Sequence, residues 1–138
     1  MNRTLKCIAA AAVLGLGVLP AAAALAHHSF AMFDFGKTTT LKGEVKDFQW
    51  TNPHVTLWVV AAPVAGGPSD LWTVELTSPG NLTRLGWTKR SLKTGDRVVV
   101  DINPLRDGKH GGAFRKVTLT DTGQVLIANL RDQERPGL

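Results

Sequence analysis

The sequence predicts an all-β protein with one short helix. Three observations support this prediction. Short runs rich in β-branched and aromatic residues recur from residue 39 onward, turn-forming Gly, Pro, Asn and Asp residues separate these runs, and helix start and stop signals occur together in one segment only. The chain has 138 residues, and the part that forms the predicted strands has the length of one domain.

Three strands are predicted before the helix, at residues 39–48, 55–62 and 71–77. In the first strand, Leu41 and Val45 alternate with polar side chains, which is the period of a half-buried strand. In the third strand, Trp72, Val74 and Leu76 share one face. We therefore expect Trp72 to be buried in the core.

The helical signal lies between the third and fourth predicted strands. Ser78 is a suitable N-cap, Pro79 suits the first helical position, and Gly86 suits the C-terminal stop. The segment predicts one or two turns of helix, in which Leu82 and Leu85 face inward.

Three more strands are predicted after the helix, at residues 97–103, 113–120 and 124–130. The last two form a hairpin around the turn residues 121–123. A polar, glycine-rich loop at residues 106–112 contains His110. The charged segment 131–138 is expected to fray at the end of the chain.

The order of the predicted elements is typical of an OB-fold. This fold is a small Greek-key barrel of five strands, and here a sixth strand follows and the short helix lies between strands 3 and 4. Gly43 in the first strand fits a barrel whose strands bend sharply. A plain β-sandwich or another small barrel is the alternative. The predicted barrel domain spans residues 27–130.

The first 26 residues have the pattern of a secretory signal peptide. Arg3 and Lys6 supply a charged start, an apolar stretch follows, and Ala24-Leu25-Ala26 forms an A-x-A cleavage site. The apolar stretch is shorter than the roughly 20 residues that a membrane span needs. We expect cleavage after Ala26, with Ala24 as an alternative. The mature protein would then be periplasmic or secreted, with no stable membrane anchor.

Composition excludes several classes of function. Cys7 is the one cysteine in the chain, so cleavage would leave 112 residues without a thiol, and cysteine catalysis and thiolate metal sites are excluded. Without Arg3 and Lys6, 14 basic residues stand against 11 acidic ones, and no long basic run occurs. This balance argues against nucleic acid as a partner.

Several short motifs are spread over the whole mature chain. They are HHSF (27–30), MFD (32–34), LKGEV (41–45), WTNPH (50–54), WxVE (72–75), GW (86–87), LKxGD (92–96) and PLRDG (104–108). With these motifs, HHSF and NPH being the most distinctive, the chain resembles a family of short exported bacterial proteins of unknown function. The resemblance implies an exported, periplasmic β-barrel and supplies no established activity.

The histidines predict a metal site. After cleavage at Ala26, His27 would carry a free α-amino group, and the amine and imidazole of a terminal histidine can chelate one metal ion. His54, in the loop between the first two strands, would add a second imidazole. Nitrogen-rich surroundings of this kind suit Cu(II). Further candidates for the same site are His28, Glu75 and His110.

Each of these residues also has a purely structural interpretation. The adjacent histidines could assist signal cleavage, and His54 could cap a backbone carbonyl in the turn formed with Asn52 and Pro53. Glu75 could be a metal ligand or the hydrogen-bond partner of a ligating imidazole. Alternatively, Glu75 could form a salt bridge with Arg84, Arg97 or Lys46.

The tryptophans predict an alternative, metal-free site. OB-folds bind ligands across their second and third strands and use aromatic side chains as stacking platforms. The chain has four tryptophans, and the second and third predicted strands carry Trp58 and Trp72. In this interpretation a small ligand, a glycan or an envelope protein would contact Trp50, Asn52, His54 and Trp58.

No pattern of catalytic residues supports an enzyme. His28 and Ser29 are neighbours in sequence, which is not the geometry of a catalytic triad. The carboxylates show no paired spacing, and the loop at residues 108–112 lacks the strand–loop–helix context of a phosphate-binding P-loop. We expect a binding protein rather than an enzyme.

Overall fold

A computed structural model of the protein describes residues 30–128. The predicted signal peptide, His27, His28 and the predicted C-terminal tail lie outside the described residues. The elements are β1 (Thr39–Gln49), β2 (Thr56–Pro63), β3 (Asp70–Glu75), α1 (Pro79–Arg84), β4 (Arg97–Pro104), β5 (Gly111–Leu119) and β6 (Val125–Ile127). Within residues 30–128, no helix has the length and hydropathy that a membrane span requires.

The strands form a closed barrel. Their order in the sheet is β3-β2-β1-β4-β5-β6, with antiparallel neighbours throughout. An additional parallel pairing of β3 with β5 joins the two ends and closes five strands into a ring. Strand β6 adds to β5 outside this ring. This is the OB-like barrel with a helix between strands 3 and 4 that the sequence predicts.

Alternation along the strands builds the core. Leu57, Val59 and Ala61 of β2 are buried, whereas the intervening side chains are half-buried or exposed. Trp72 and Val74 of β3 are buried in the same core, which confirms the prediction for Trp72. In β1, a β-bulge between Val45 and Asp47 shifts the alternation by one residue. Phe48 therefore pairs with the buried Leu57.

Helix α1 has the start that the sequence predicts. Ser78 has extended backbone angles, and its hydroxyl accepts a hydrogen bond from the Asn81 N–H at 3.3 Å. Pro79 occupies the first turn, where its missing N–H costs nothing. Leu82 is buried, as predicted.

The prediction that Leu85 faces inward is wrong. Leu85 is the C-cap, and its side chain is 53% exposed. Gly86 follows with a φ of 85°, which reverses the chain so that the Trp87 N–H donates to the Leu82 carbonyl and the Gly86 N–H to the Thr83 carbonyl, both at 3.0 Å. Trp87 therefore enters the core in place of Leu85.

The boundaries of the last strands differ from the predicted ones. Strand β5 begins at Gly111, two residues earlier than predicted, because Gly111 and Gly112 pair with β3. Strand β6 ends at Ile127, and residues 129 and 130, which the sequence places in the same strand, lie outside the described residues.

We expect Gly43→Ala to destabilise the barrel. Gly43 pairs with Ala61 on β2 and Val98 on β4, and an added Cβ would lie 2.6 Å from the Ala61 Cα and closer still to the Val60 carbonyl oxygen. Backbone atoms must move to admit it, at a cost of about 1–3 kcal/mol in the free energy of unfolding. Urea denaturation followed by tryptophan fluorescence measures this cost.

Gly80→Ala is the matched control for this substitution. Gly80 lies in α1, and no heavy atom comes within 4 Å of an added Cβ. Alanine favours a helix over glycine by up to about 1 kcal/mol, so this variant should be unchanged or slightly more stable. Equal effects of the two substitutions would contradict the close approach of β1 and β2 at Gly43.

Candidate functional site

The loop between β1 and β2 brings His54 to β3. The Val55 N–H donates to the Thr77 carbonyl at 3.0 Å, and the Leu76 N–H donates to the Val55 carbonyl at 2.8 Å. The β2–β3 ladder therefore continues one step beyond the Thr56–Glu75 pair. His54 consequently lies diagonally across from Glu75 on the outer face of the barrel, a spacing at which side chains interact.

His54 and Glu75 form a close polar pair. The distance between His54 Nδ1 and Glu75 Oε1 is 2.6 Å, and the two side chains are 36% and 27% exposed. Nδ1–H of the imidazole donates to the carboxylate, and no hydrogen bond to Nε2 occurs within residues 30–128. A carboxylate that binds one ring nitrogen while the other is left available is the usual arrangement behind a metal-binding histidine.

The sequence-predicted salt bridges of Glu75 do not form among the described residues. Arg97 pairs instead with Asp121 at 2.5 Å, and the Arg84 guanidinium donates to the Asn81 amide oxygen at 2.9 Å. The partner of Glu75 is a histidine from the neighbouring strand end. The sequence left open whether Glu75 binds an imidazole or forms a salt bridge, and the register between β2 and β3 decides for the imidazole.

His110 forms a second histidine–carboxylate pair elsewhere. Its Nδ1 lies 2.9 Å from Asp70 Oδ2, and its ring packs on Trp72 with 4.7 Å between the ring centroids. Asp70 and Glu75 are the two ends of β3, about 16 Å apart at 3.3 Å per residue. The structure therefore brings Glu75 to His54 and places His110 at the opposite end of the strand.

The loop before His110 is braced by a local ion pair. Asp107 accepts a hydrogen bond from the Lys109 backbone N–H at 3.1 Å, and its carboxylate lies 3.1 Å from the Lys109 ammonium. These two hydrogen bonds lower the pKa of Asp107 below its ordinary value. The pair is exposed and is separate from the His54 site.

Residues 30–128 do not contain a complete metal-binding cluster. No group of three or more His, Cys, Asp or Glu side chains comes together in that range. His27 and His28, the terminal candidates, lie outside the described residues. The described part of the candidate metal site is thus one imidazole, His54, with Glu75 behind it.

The tryptophans divide between the core and the outer face. Trp87 and Trp72 are buried, and their indole N–H groups donate to the carbonyls of Ile127 and Ala61, both at 3.1 Å. Trp50 is half-buried and packs edge-on against Phe48 at 5.9 Å. The exposed Asn52 lies in the adjoining loop.

Trp58 belongs to the outer face. It is half-buried and stands between Asp47 of β1 and Thr73 of β3 in the strand register. The neighbouring pair Val60 and Leu71 is exposed by 44% and 47%. Sequence reasoning did not single out Val60 or Leu71, although alternation along β2 places Val60 on the same face as Trp58.

Comparisons with known proteins identify a family. The model of one family, described as a family of unknown function (DUF6152), matches residues 16–115. Neither a search of curated proteins nor a search of solved structures returns a match.

We expect the Glu75 carboxylate to fix the tautomer of His54. The neutral His54 ring should carry its proton on Nδ1, because that atom donates to Glu75. In Glu75→Ala, the proton should redistribute toward Nε2 while the His110 ring is unaffected. Long-range ¹H–¹⁵N correlation spectra at alkaline pH distinguish the two tautomers. An unchanged His54 spectrum in Glu75→Ala would show that the pair does not persist in solution.

Proposed function

The chain belongs to this family of unknown function, and on that premise we propose that it is an exported binding protein for a divalent metal ion, Cu(II) above others. The observation that carries the proposal is the contact of 2.6 Å between His54 and Glu75. In the proposed site, His54 is a metal ligand and Glu75 orients its ring. His27, with its free α-amino group, supplies the other nitrogen ligands, and His28 can assist. The role is binding rather than catalysis.

The chemistry of the pair supports a metal ligand. A carboxylate bound to Nδ1 fixes the tautomer and the orientation of an imidazole, and the loss of such a partner typically weakens metal binding 10- to 100-fold. His54 is also accessible, being 36% exposed at the outer face. Imidazole and amine nitrogens together favour Cu(II) over ions that prefer oxygen ligands.

Export supplies the second half of the proposed site. An α-amino group with a pKa near 8 loses its proton to a metal ion at neutral pH, so a histidine at the mature terminus can bind through two nitrogens. The signal pattern ending at Ala26 would generate such a terminus at His27. Acetylation of the His27 α-amino group would remove the chelate and leave the barrel sequence unchanged.

The test is a Cu(II) titration of protein produced by export, with the mature terminus verified as His27 by intact mass. We expect one Cu(II) to bind per chain. Glu75→Gln should weaken binding about 10- to 100-fold, and His54→Ala should weaken it further, because a ligand is lost rather than reoriented. Isothermal titration with a competing chelator measures the affinities.

A matched variant and a modified protein complete this experiment. His110→Ala removes the histidine of the other carboxylate pair and should leave Cu(II) affinity unchanged. Selective acetylation of the His27 α-amino group should abolish tight binding, because the blocked amine cannot bind the metal ion. Binding that is indifferent to both His54→Ala and the acetylation would refute the proposed site.

A second candidate function is supported by the outer face of β2 and β3. Val60 and Leu71 offer exposed apolar surface there beside the half-buried Trp58, and Asp47 and Thr73 flank Trp58 with hydrogen-bonding groups. An aromatic ring beside polar side chains suits a glycan, whose ring faces stack on aromatics while its hydroxyls accept and donate hydrogen bonds. Asn52 and His54 lie in the β1–β2 loop next to this face, whereas Trp50 packs against the core.

The second candidate predicts binding of a soluble N-acetylglucosamine oligomer without metal. NMR titration should give saturable shifts at residues 56–60 and 71–75, and Trp58→Ala should abolish them. Ile127→Ala, which removes another exposed apolar side chain outside this face, should have no effect. Shifts that are absent, or that survive Trp58→Ala, would exclude this face as a glycan site.

A further inference from the structure

The connection between β3 and β4 carries an unbalanced positive charge. From residue 76 to residue 96 the chain contains one acidic residue, Asp96, against the four basic residues Arg84, Lys89, Arg90 and Lys93. All four side chains are exposed. Within residues 30–128, none of the four belongs to an ion pair shorter than 4.0 Å; every ion pair in that range involves other basic residues.

An ordered turn presents these charges. Trp87 directly precedes the turn and Leu92 lies near its end, and both side chains are buried in the barrel core. Between them the Thr88 N–H donates to the Ser91 hydroxyl at 2.8 Å, and the Ser91 N–H donates to the Thr88 carbonyl at 3.0 Å. The basic turn, defined here as residues 88–93, is therefore held in one shape before any ligand binds, which reduces the entropy cost of binding.

A depression lies between the basic turn and the β5–β6 hairpin. Its volume is about 300 Å³. Arg90, Ser91 and Lys93 line it from the turn, and Asp121, Thr122 and Gln124 line it from the hairpin. Groups that donate hydrogen bonds thus stand on both sides of one open cavity.

Two carboxylates, those of Asp96 and Asp121, also line the depression. Asp121 pairs with Arg97 at 2.5 Å, and Asp96 accepts a hydrogen bond from the Lys93 backbone N–H at 2.9 Å. Neither carboxylate forms an ion pair with the Arg90 or Lys93 side chain. Five guanidinium N–H donors and three ammonium donors consequently have no carboxylate partner within residues 30–128.

We propose that this depression binds the phosphate group of an anionic ligand. The Arg90 guanidinium can donate hydrogen bonds to two phosphate oxygens at once, and the Lys93 ammonium adds a positive charge. The Thr122 hydroxyl, which accepts from the Gln124 N–H at 3.2 Å, retains its own proton for donation from the opposite side. Donors that converge from two sides suit a tetrahedral phosphate better than a planar carboxylate, which offers two oxygens.

The ligand is a soluble phosphate ester or the headgroup of an anionic phospholipid, which share this chemistry. The inference is independent of the proposed metal site, because it uses other elements and requires neither His27 nor His54.

The experiment titrates the mature protein with inorganic phosphate and with glycerol 3-phosphate, followed by ¹H–¹⁵N NMR. Saturable shifts are expected at residues 88–93 and 121–124 together. Arg90→Gln with Lys93→Gln should weaken binding at least about tenfold, since each lost charged hydrogen bond is worth more than the equivalent of a tenfold change. Lys37→Gln with Lys109→Gln removes the same net charge elsewhere and should retain the affinity.

A flotation assay with vesicles identifies the source of the phosphate. Vesicles of phosphatidylglycerol are compared with vesicles of phosphatidylcholine, and the same two double variants are used. Flotation with phosphatidylglycerol alone, lost in the Arg90/Lys93 variant, supports the depression as a headgroup site. Saturable binding of glycerol 3-phosphate without flotation supports it as a site for soluble esters. Weak, unsaturable effects that are equal in both double variants would overturn the proposal.

Discussion

The parallel contact between β3 and β5 is the constraint on which the rest of the structure depends. It is the pairing that closes the sheet into a barrel, with Thr73 opposite Gly111. A Cβ at Gly111 would lie 2.9 Å from the Thr73 carbonyl oxygen, so the absence of a side chain permits the two backbones to meet. Closure encloses one apolar core and leaves the outer faces of the strands outside it.

Closure also makes β3 the strand that organises the polar sites. The Thr73 N–H donates to the His110 carbonyl at 3.1 Å, which fixes His110 at the start of β5 beside Asp70. At the other end of β3, the ladder with β2 fixes His54 beside Glu75. One short strand thus holds two histidine–carboxylate pairs that are too far apart to act on one ion. The His54 pair adjoins the Trp58 face, because Glu75 lies two residues from Thr73, which pairs with Trp58.

The connection from β3 to β4 has a different physical character. The capped helix, the chain reversal at Gly86 and the burial of Trp87 and Leu92 hold it against the barrel. Its four basic side chains are exposed and form no ion pair with a carboxylate within residues 30–128. The metal proposal depends on an imidazole oriented by an acid, whereas the phosphate proposal depends on cations that no acid neutralises. The two proposals can therefore succeed or fail separately.

The sequence by itself determined the features that depend on neighbouring residues. Alternation placed the strands and buried Trp72, and the Ser78-Pro79 start predicted α1, because caps and strand periods are local properties. Tertiary structure decided what depends on pairing between distant segments. It exposed Leu85 because Trp87 fills the core, extended β5 to Gly111 because β3 pairs there, and chose His54 as the partner of Glu75. That choice follows from the β2–β3 register, which no local pattern encodes.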